Sequence, residues 1–332
     1  MTIRELAKLI NVSPAAISIV INGKKGVSEK TREKILKAME EYNYLPPVRK
    51  HTAIKNVLLI KFTKTGYFVE ENQGFISMII DAAEGRLRQN NIAVTLLTVK
   101  NRLADDLRSI DYEKFCAAIV VGTEMGEEEY RLLKEISIPF VVVDNVVPHY
   151  RYSSVAINNC ENVYLALRHL SDCGHRKLGY IGSKFETENF KERRKGFMSA
   201  IDELGLSLDE ENDYRVTPTM VGAHDDFLEC LSEEKKMPSA FFVENDTLAL
   251  GVMKALKEKG YKIPEDVSVI GFDDIPYSSI SSPTLTTVHV QRKVIGKQAA
   301  DQLLNLLENK GINSAKMSII GKLVVRGSVK KL

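Results

Sequence analysis

From Val57 to the end of the chain, short runs rich in β-branched residues alternate with amphipathic stretches of helical period. No other feature restricts the fold as much. A strand that leads through a helix to the next strand returns parallel to the first, so the pattern demands parallel sheets covered by helices, an α/β architecture. The expected strands are NVLLIKF (56–62), AVTLLTV (93–99), CAAIVVG (116–122), PFVVVDN (139–145), KLGYIG (177–182), SAFFVEND (239–246) and VSVIGFDD (267–274). The pattern runs twice and breaks near SSVAINN at 153–159, which predicts two similar lobes with a cleft between them. Ligands of such folds bind outside the carboxyl ends of the strands.

The first 46 residues read differently. Thr2 followed by Glu5 is a capping box, and Ile3, Leu6, Ala7 and Ile10 then give one apolar helical face. Asn11-Val12 makes a short turn. Ser13-Pro14 supplies an N-cap with proline at the first helical position, where its missing N–H costs nothing. In the second helix Ile17, Val20 and Ile21 face the first, and Pro14, Ala15, Ser18 and Ile19 lie on or near the exposed side until Asn22-Gly23 ends it. A third helix, capped by Ser28, carries an apolar stripe of Ile35, Leu36, Met39 and Tyr42 and stops before Pro46-Pro47. Two short helices joined by a tight turn are a helix-turn-helix. The alternative is a three-helix bundle that docks some other partner.

Charge favours DNA. Residues 1–56 hold eleven Lys and Arg against five Glu, a net +6, whereas the remainder carries −4 of a chain total of +2. A basic head on a mildly acidic body is the footprint of a nucleic-acid-binding module attached to something that binds no nucleic acid. The rest of the composition, 44% hydrophobic and 27% charged, is that of an ordinary globular protein. Cys116, Cys160, Cys173 and Cys230 show no CxxC spacing and are expected reduced and mostly buried, and the six histidines lack HxxxH or HExxH spacing, so no metal is expected. No GxGxxG, Walker A or GxSxG motif points to an enzyme or a cofactor. Acids interrupt the apolar residues of MTIRELAKLINVSP, which argues against a secretory signal, and no apolar run approaches the ~18–20 residues of a membrane span. A cytoplasmic protein with no membrane partner is the expectation.

The run VSPAAISIVINGKKGVSEKTREKI (12–35) with YNYLP (42–46) resembles the head of the lactose/galactose repressor (LacI/GalR) family of bacterial transcription regulators. The resemblance continues through HLSDCGHRKLGYIG (169–182), ERRKGF (192–197), NDTLALGVMKALKEKG (245–260), PEDVSVIGFDD (264–274) and SPTLTTV (282–288). It implies a regulator, not an enzyme, that binds a pseudo-palindromic duplex operator as a homodimer under control of a small-molecule effector. The second helix would enter the major groove. By the resemblance, Ser13, Ser18, Asn22, Ser28 and Thr31 match positions that contact phosphates or bases, Tyr44 sits near the DNA backbone, and Pro14, Ala15 and Ile19 match the variable base readers. Many members carry Arg where this chain has Ile19. Arg reads guanine, whereas an apolar side chain contacts a thymine methyl, so a T is expected there; the other reading packs Ile19 inward.

The segment that forms a minor-groove hinge helix in the family here reads PPVRKHTAIKN (46–56), about one turn short and without the Ala-Arg-x-Leu pattern. Arg49 and Lys50 are its candidate groove contacts, with Val48 or Ile54 as the wedge. The expected domains are a head at 1–46, a linker at 47–56 and a bilobal body at 57–332 of the periplasmic-binding-protein type. Its first lobe is expected at about 57–156 and 287–316, its second at about 157–286 and 317–332. Within the body, the resemblance assigns effector contacts to Arg193 and Asp273, with Asn245 and Glu161 as secondary candidates. A turn-capping role for Asp273 and a surface charge for Arg193 are the alternatives. Thr217 stands where relatives stack an aromatic on the ligand, and Tyr67 or Phe68 is the candidate replacement. A small sugar, sugar acid or sugar phosphate therefore fits better than a purine.

Overall fold

The computed structural model describes residues 2–21, 26–42, 44, 55–69, 74–100, 102–231, 236–308 and 314–332. The chain divides into two compact units, Met1–Ile54 and Lys55–Leu332.

The first unit holds α1 (Ile3–Leu9), α2 (Pro14–Ile21) and α3 (Glu29–Glu41). The capping box closes in both directions: the Glu5 N–H donates to Thr2 Oγ1 at 3.3 Å and the Thr2 N–H to Glu5 Oε2 at 2.7 Å. Ser13 Oγ accepts the Ala16 N–H at 3.1 Å, and Ser28 Oγ accepts the Thr31 N–H at 3.2 Å. These caps satisfy N–H groups that a helix start leaves unpaired. Leu6, Ala7, Ile17, Val20, Ile35, Ala38 and Tyr44 form the buried core. The third helix deviates from its expected stripe, because Leu36 and Tyr42 are exposed and Ala38 turns inward instead. With α1 and α2 only 7 and 8 residues long, the core is small and covers a narrower face of α3.

The second unit follows the alternation. Its first half runs β1 (Lys55–Thr63), α4 (Phe75–Gln89), β2 (Ile92–Lys100), α5 (Leu103–Ser109), β3 (Ala117–Val121), α6 (Glu127–Leu132), β4 (Phe140–Val143) and β5 (Ser153–Ile157). Its second half runs α7 (Asn159–Asp172), β6 (Lys177–Ser183), α8 (Glu188–Glu203), β7 (Ser207–Val216), α9 (Met220–Cys230), β8 (Ala240–Val243), α10 (Asp246–Glu258) and β9 (Ser268–Ile270). The chain then returns through β10 (Thr287–His289), α11 (Arg292–Glu308), β11 (Lys316–Ile319) and β12 (Lys322–Val324). One parallel sheet has the order β11-β5-β4-β3-β1-β2 and the other β7-β6-β8-β9. Between them, β10 and β12 pair antiparallel.

Two boundaries differ from expectation. β1 starts at Lys55, so residues 55 and 56 belong to the body's first sheet and not to the linker. β11 pairs with β5 from Lys316↔Ser154 to Ile319↔Ile157, so residues 317–319 complete the first lobe instead of opening the second. β7 was not anticipated either. Its polar SLDEENDYRV sequence occupies an edge strand, where alternate side chains face water. The four cysteines form no disulfide; Cys116, Cys160 and Cys173 are half-buried and Cys230 is exposed, a looser placement than the buried one expected. Among the described residues no helix is long and apolar enough to cross a membrane, and no cluster of His, Cys, Asp or Glu is arranged to hold a metal.

Candidate functional site

In the head, the start of α2 presents its residues outward. Ser13, Pro14 and Ala15 are exposed, while Ser18 is half-buried. Ile19 is also half-buried, and its δ and γ2 methyls lie 3.6 and 3.9 Å from where a Cβ on Gly26 would stand. It therefore lies beside Gly26 and outside the core that holds Ile17 and Val20. Exposed Ser28 and half-buried Thr31 share a hydroxyl–hydroxyl hydrogen bond of 2.7 Å at the start of α3. Tyr44 is buried in the core of the head, where its aromatic ring adds apolar area. Asn22, Val48, Arg49, Lys50 and Ile54 lie outside the described residues.

In the body, Arg193 is the centre of a buried polar network. Gly196 permits it: a Cβ there would stand 2.8 Å from Cys160 Cα, so only glycine lets α8 approach α7 this closely, which brings Arg193 beside Asn159. Arg193 Nε donates to Asn159 Oδ1 at 3.0 Å, Nη1 to the Glu244 carbonyl at 2.6 Å and Nη2 to Asp273 Oδ1 at 3.1 Å. The guanidinium carbon lies 3.8 Å from the centroid of Phe272, and a cation over an aromatic face gains electrostatic attraction. The network continues across the lobes. Asn159 Nδ2 donates to Asn189 Oδ1 at 2.9 Å, and Asn189 Nδ2 to the carbonyl of Asp144, just beyond β4, at 3.0 Å.

Asp144 brings a second carboxylate to the cleft. Its Oδ2 accepts the Thr123 hydroxyl at 2.8 Å, whereas Oδ1 is buried without a partner among the described residues. Burial pushes its pKa up to about 7 against the opposing effects of the Thr123 hydrogen bond and the Arg193 charge. Asp144 and Asp273 also share a positive φ, at 60° and 110°. Non-glycine residues persist in that region only where their surroundings hold them, and such positions concentrate at ligand sites. Asn245 borders the same cavity, although its Oδ1 is occupied in capping α10 through the Leu248 N–H at 2.9 Å.

Aromatics close this chamber. Phe68 from the first lobe meets Phe190 from the second edge to face, centroids 5.1 Å apart. The cavity that remains is about 20 Å³, room for about one water. Glu124 fixes the Phe68 loop by accepting the N–H groups of Lys64, Thr65, Gly66 and Phe68 at 2.6–3.1 Å.

Two expected contacts do not reach the chamber. Glu161 is exposed on the first turn of α7, where its N–H donates to Asn158 Oδ1; Asn159, two residues earlier, points inward instead. Tyr67 packs on Phe185 at 5.2 Å and does not line the chamber, whereas Phe68 does. Asp144 and Asn159 were missed, yet both follow strand ends in VVVDN and SSVAINN, where the rule for parallel sheets places ligands.

The head and body match known proteins. Residues 2–47 match the family described as bacterial regulatory proteins, lacI family, and residues 167–329 match the periplasmic binding protein-like domain. The chain is 31% identical over 341 residues to the HTH-type transcriptional repressor PurR of Vibrio vulnificus (strain CMCP6), with 100% of this chain and 99% of that protein covered. It is 30% identical over 347 residues to PurR of Haemophilus influenzae (strain PittEE), with the same coverage. Among solved structures it is similar to the lac repressor dimer bound to operator and the anti-inducer ONPF, with a TM-score of 0.74, 22% identity and 99% of each chain covered. A complex of the regulator CelR with cellobiose gives a TM-score of 0.71 at 23% identity, again over 99% of each chain. With such identity over its whole length, the chain belongs to the lacI family of bacterial regulatory proteins and is a DNA-binding transcriptional regulator, not an enzyme.

Proposed function

We propose that the protein is a cytoplasmic repressor that binds a pseudo-palindromic operator as a homodimer and responds to a small carbohydrate or carbohydrate derivative taken up between the lobes. The observation that carries the effector reading is the placement of Arg193 between Asn159 and Asp273, with Asp144 facing from the other lobe. A planar donor set flanked by two carboxylates suits vicinal hydroxyls, which donate to the acids and accept from the guanidinium. Phe68, Phe75 and Phe190 line the same chamber and supply apolar faces for C–H groups.

The chamber has no room for a sugar, so uptake requires the lobes to part. Parting separates Asn189 from the Asp144 carbonyl and Phe68 from Phe190. An effector that prefers the open form shifts the population toward it by its difference in affinity, which alters the spacing of two heads on two half-sites. In the head, the reading assigns contacts to phosphates or bases to Ser13, Ser18, Ser28 and Thr31, and variable base reading to Pro14, Ala15 and Ile19.

The test is a thermal-shift screen of the full chain against D-ribose, cellobiose, sugar acids and sugar phosphates. A stabilising ligand whose effect disappears in both Arg193→Ala and Asp273→Asn supports the site. A ligand whose effect survives both substitutions overturns it.

A further inference from the structure

The KERRK run contributes Arg193 to the interlobe chamber, but its other cations point elsewhere. Lys191, Arg194, Lys195 and Met198 follow one another at i, i+3, i+4 and i+7, which places them on one face of α8. That face lines a separate cavity of about 300 Å³ formed wholly within the second lobe, at the carboxyl ends of β6, β7 and β8. Arg215, at the end of β7, lines it from the opposite side.

Two of the cations compete for one acid. Arg194 and Arg215 share one carboxylate, Asp213, at 2.6 Å each, and both guanidinium groups lie over the Tyr180 ring, at 4.3 and 5.2 Å. Arg194 Nη1 is buried without a hydrogen-bond partner among the described residues. Lys191 has Glu188 at 4.0 Å, and Lys195 stands on the exposed rim. The acids that face the cavity are Glu186 and Glu244. Glu244 is fully committed internally: Oε1 accepts the Tyr180 hydroxyl, Oε2 accepts the Ser183 N–H at 2.8 Å, and burial pushes its pKa up to about 7. Four cations, Lys191, Arg194, Lys195 and Arg215, thus line the cavity beside an apolar wall of Phe190 and Met198.

We infer that this cavity is a second ligand site, for a small phosphomonoester whose phosphate is held by Arg194, Arg215, Lys191 and Lys195 while its organic part rests on Phe190 and Met198. Paired guanidinium groups match phosphate oxygens. About 300 Å³ falls at the lower end of the range of small-molecule sites. The site is coupled to the interlobe chamber. Phe190 borders both cavities, and the Glu244 carbonyl that anchors Arg193 belongs to the residue whose carboxylate borders the second one. None of this depends on the identity of the interlobe effector.

Isothermal titration of the full chain, at ionic strength held constant with sodium chloride, tests the assignment with two probes, phenyl phosphate and inorganic phosphate. One saturable site per chain is expected, with phenyl phosphate at least tenfold tighter; equal affinity would instead mark a site for the free inorganic anion and overturn the organic part of the assignment. Arg215→Gln and Lys195→Gln, both at exposed side chains, are each expected to weaken binding at least tenfold, with folding checked by circular dichroism. Asp144→Asn, in the other lobe, is expected to leave it within twofold. Absence of a saturable site, unchanged affinity in both cation variants, or loss in Asp144→Asn overturns the proposal.

Discussion

Arg193 and Asp273 pair at 3.1 Å with side-chain exposures of 4% and 2%, eighty residues apart in the chain. A buried pair of this kind is weak evidence of net stability, because both charges have given up water, but removing one partner strands the other. Arg193→Ala is therefore expected to destabilise the body by about 3–5 kcal/mol as well as to remove effector binding. Chemical denaturation of the variant beside Asp273→Asn checks this. A cost below about 1 kcal/mol would show that the pair is not isolated from solvent.

Three buried acids, Asp144, Glu244 and Asp246, have pKa values pushed up to about 7, in each case first by burial. A carboxyl group whose folded pKa exceeds its unfolded value binds more protons in the folded state over that interval. Stability then falls as pH rises from about 4 to about 7 and levels off above it. Asp144→Asn is expected to reduce this slope, read as the pH dependence of the urea midpoint. An unchanged slope would mean that Asp144 is ionised throughout.

Glu124 holds four backbone N–H groups of the loop that carries Phe68. Hydrogen bonds to a charged group contribute about 1.5–3 kcal/mol each, so Glu124→Ala should release the loop while leaving the sheets intact. The chain has no tryptophan, which makes Tyr67→Trp a single reporter beside Phe185. Its emission is expected to shift to the red when Glu124→Ala is added. Constant emission would show that the loop is held by other contacts.

Ile19→Arg replaces an apolar reader with one that pairs bidentately with guanine. Operators selected from random duplexes should change from T to G at the matching step, with about 1–3 kcal/mol of discrimination. Identical selections from both proteins would place Ile19 outside the base-reading set.

What was legible in the sequence was mostly local. Thr2 with Glu5, Ser13 before Pro14 and Ser28 before α3 are spacings of three residues or fewer, and each cap forms. Ile17 and Val20 faced inward as their period required. The strands of the body were readable because fully buried runs such as AAIVV are apolar throughout. The chamber was harder. Arg193 and Asp273 stood out through their motifs, but Asn159 reaches Asn189 across 30 residues and Asn189 reaches Asp144 across 45. No periodicity encodes such a contact. Glu161 and Tyr67 stand two and one positions from the inward-facing Asn159 and Phe68, since at helix starts and in loops a single residue decides which way a side chain faces.

The most direct test of the account is fluorescence anisotropy of the full chain and of residues 55–332 on a duplex selected by the full chain, titrated at several salt concentrations. The full chain is expected to bind with an affinity that falls steeply with salt, since Lys and Arg contacts to phosphate release counterions. The body alone is expected not to bind. Equal binding by both, or binding by the full chain that does not respond to salt, would contradict the assignment of residues 1–46 as the DNA-reading head.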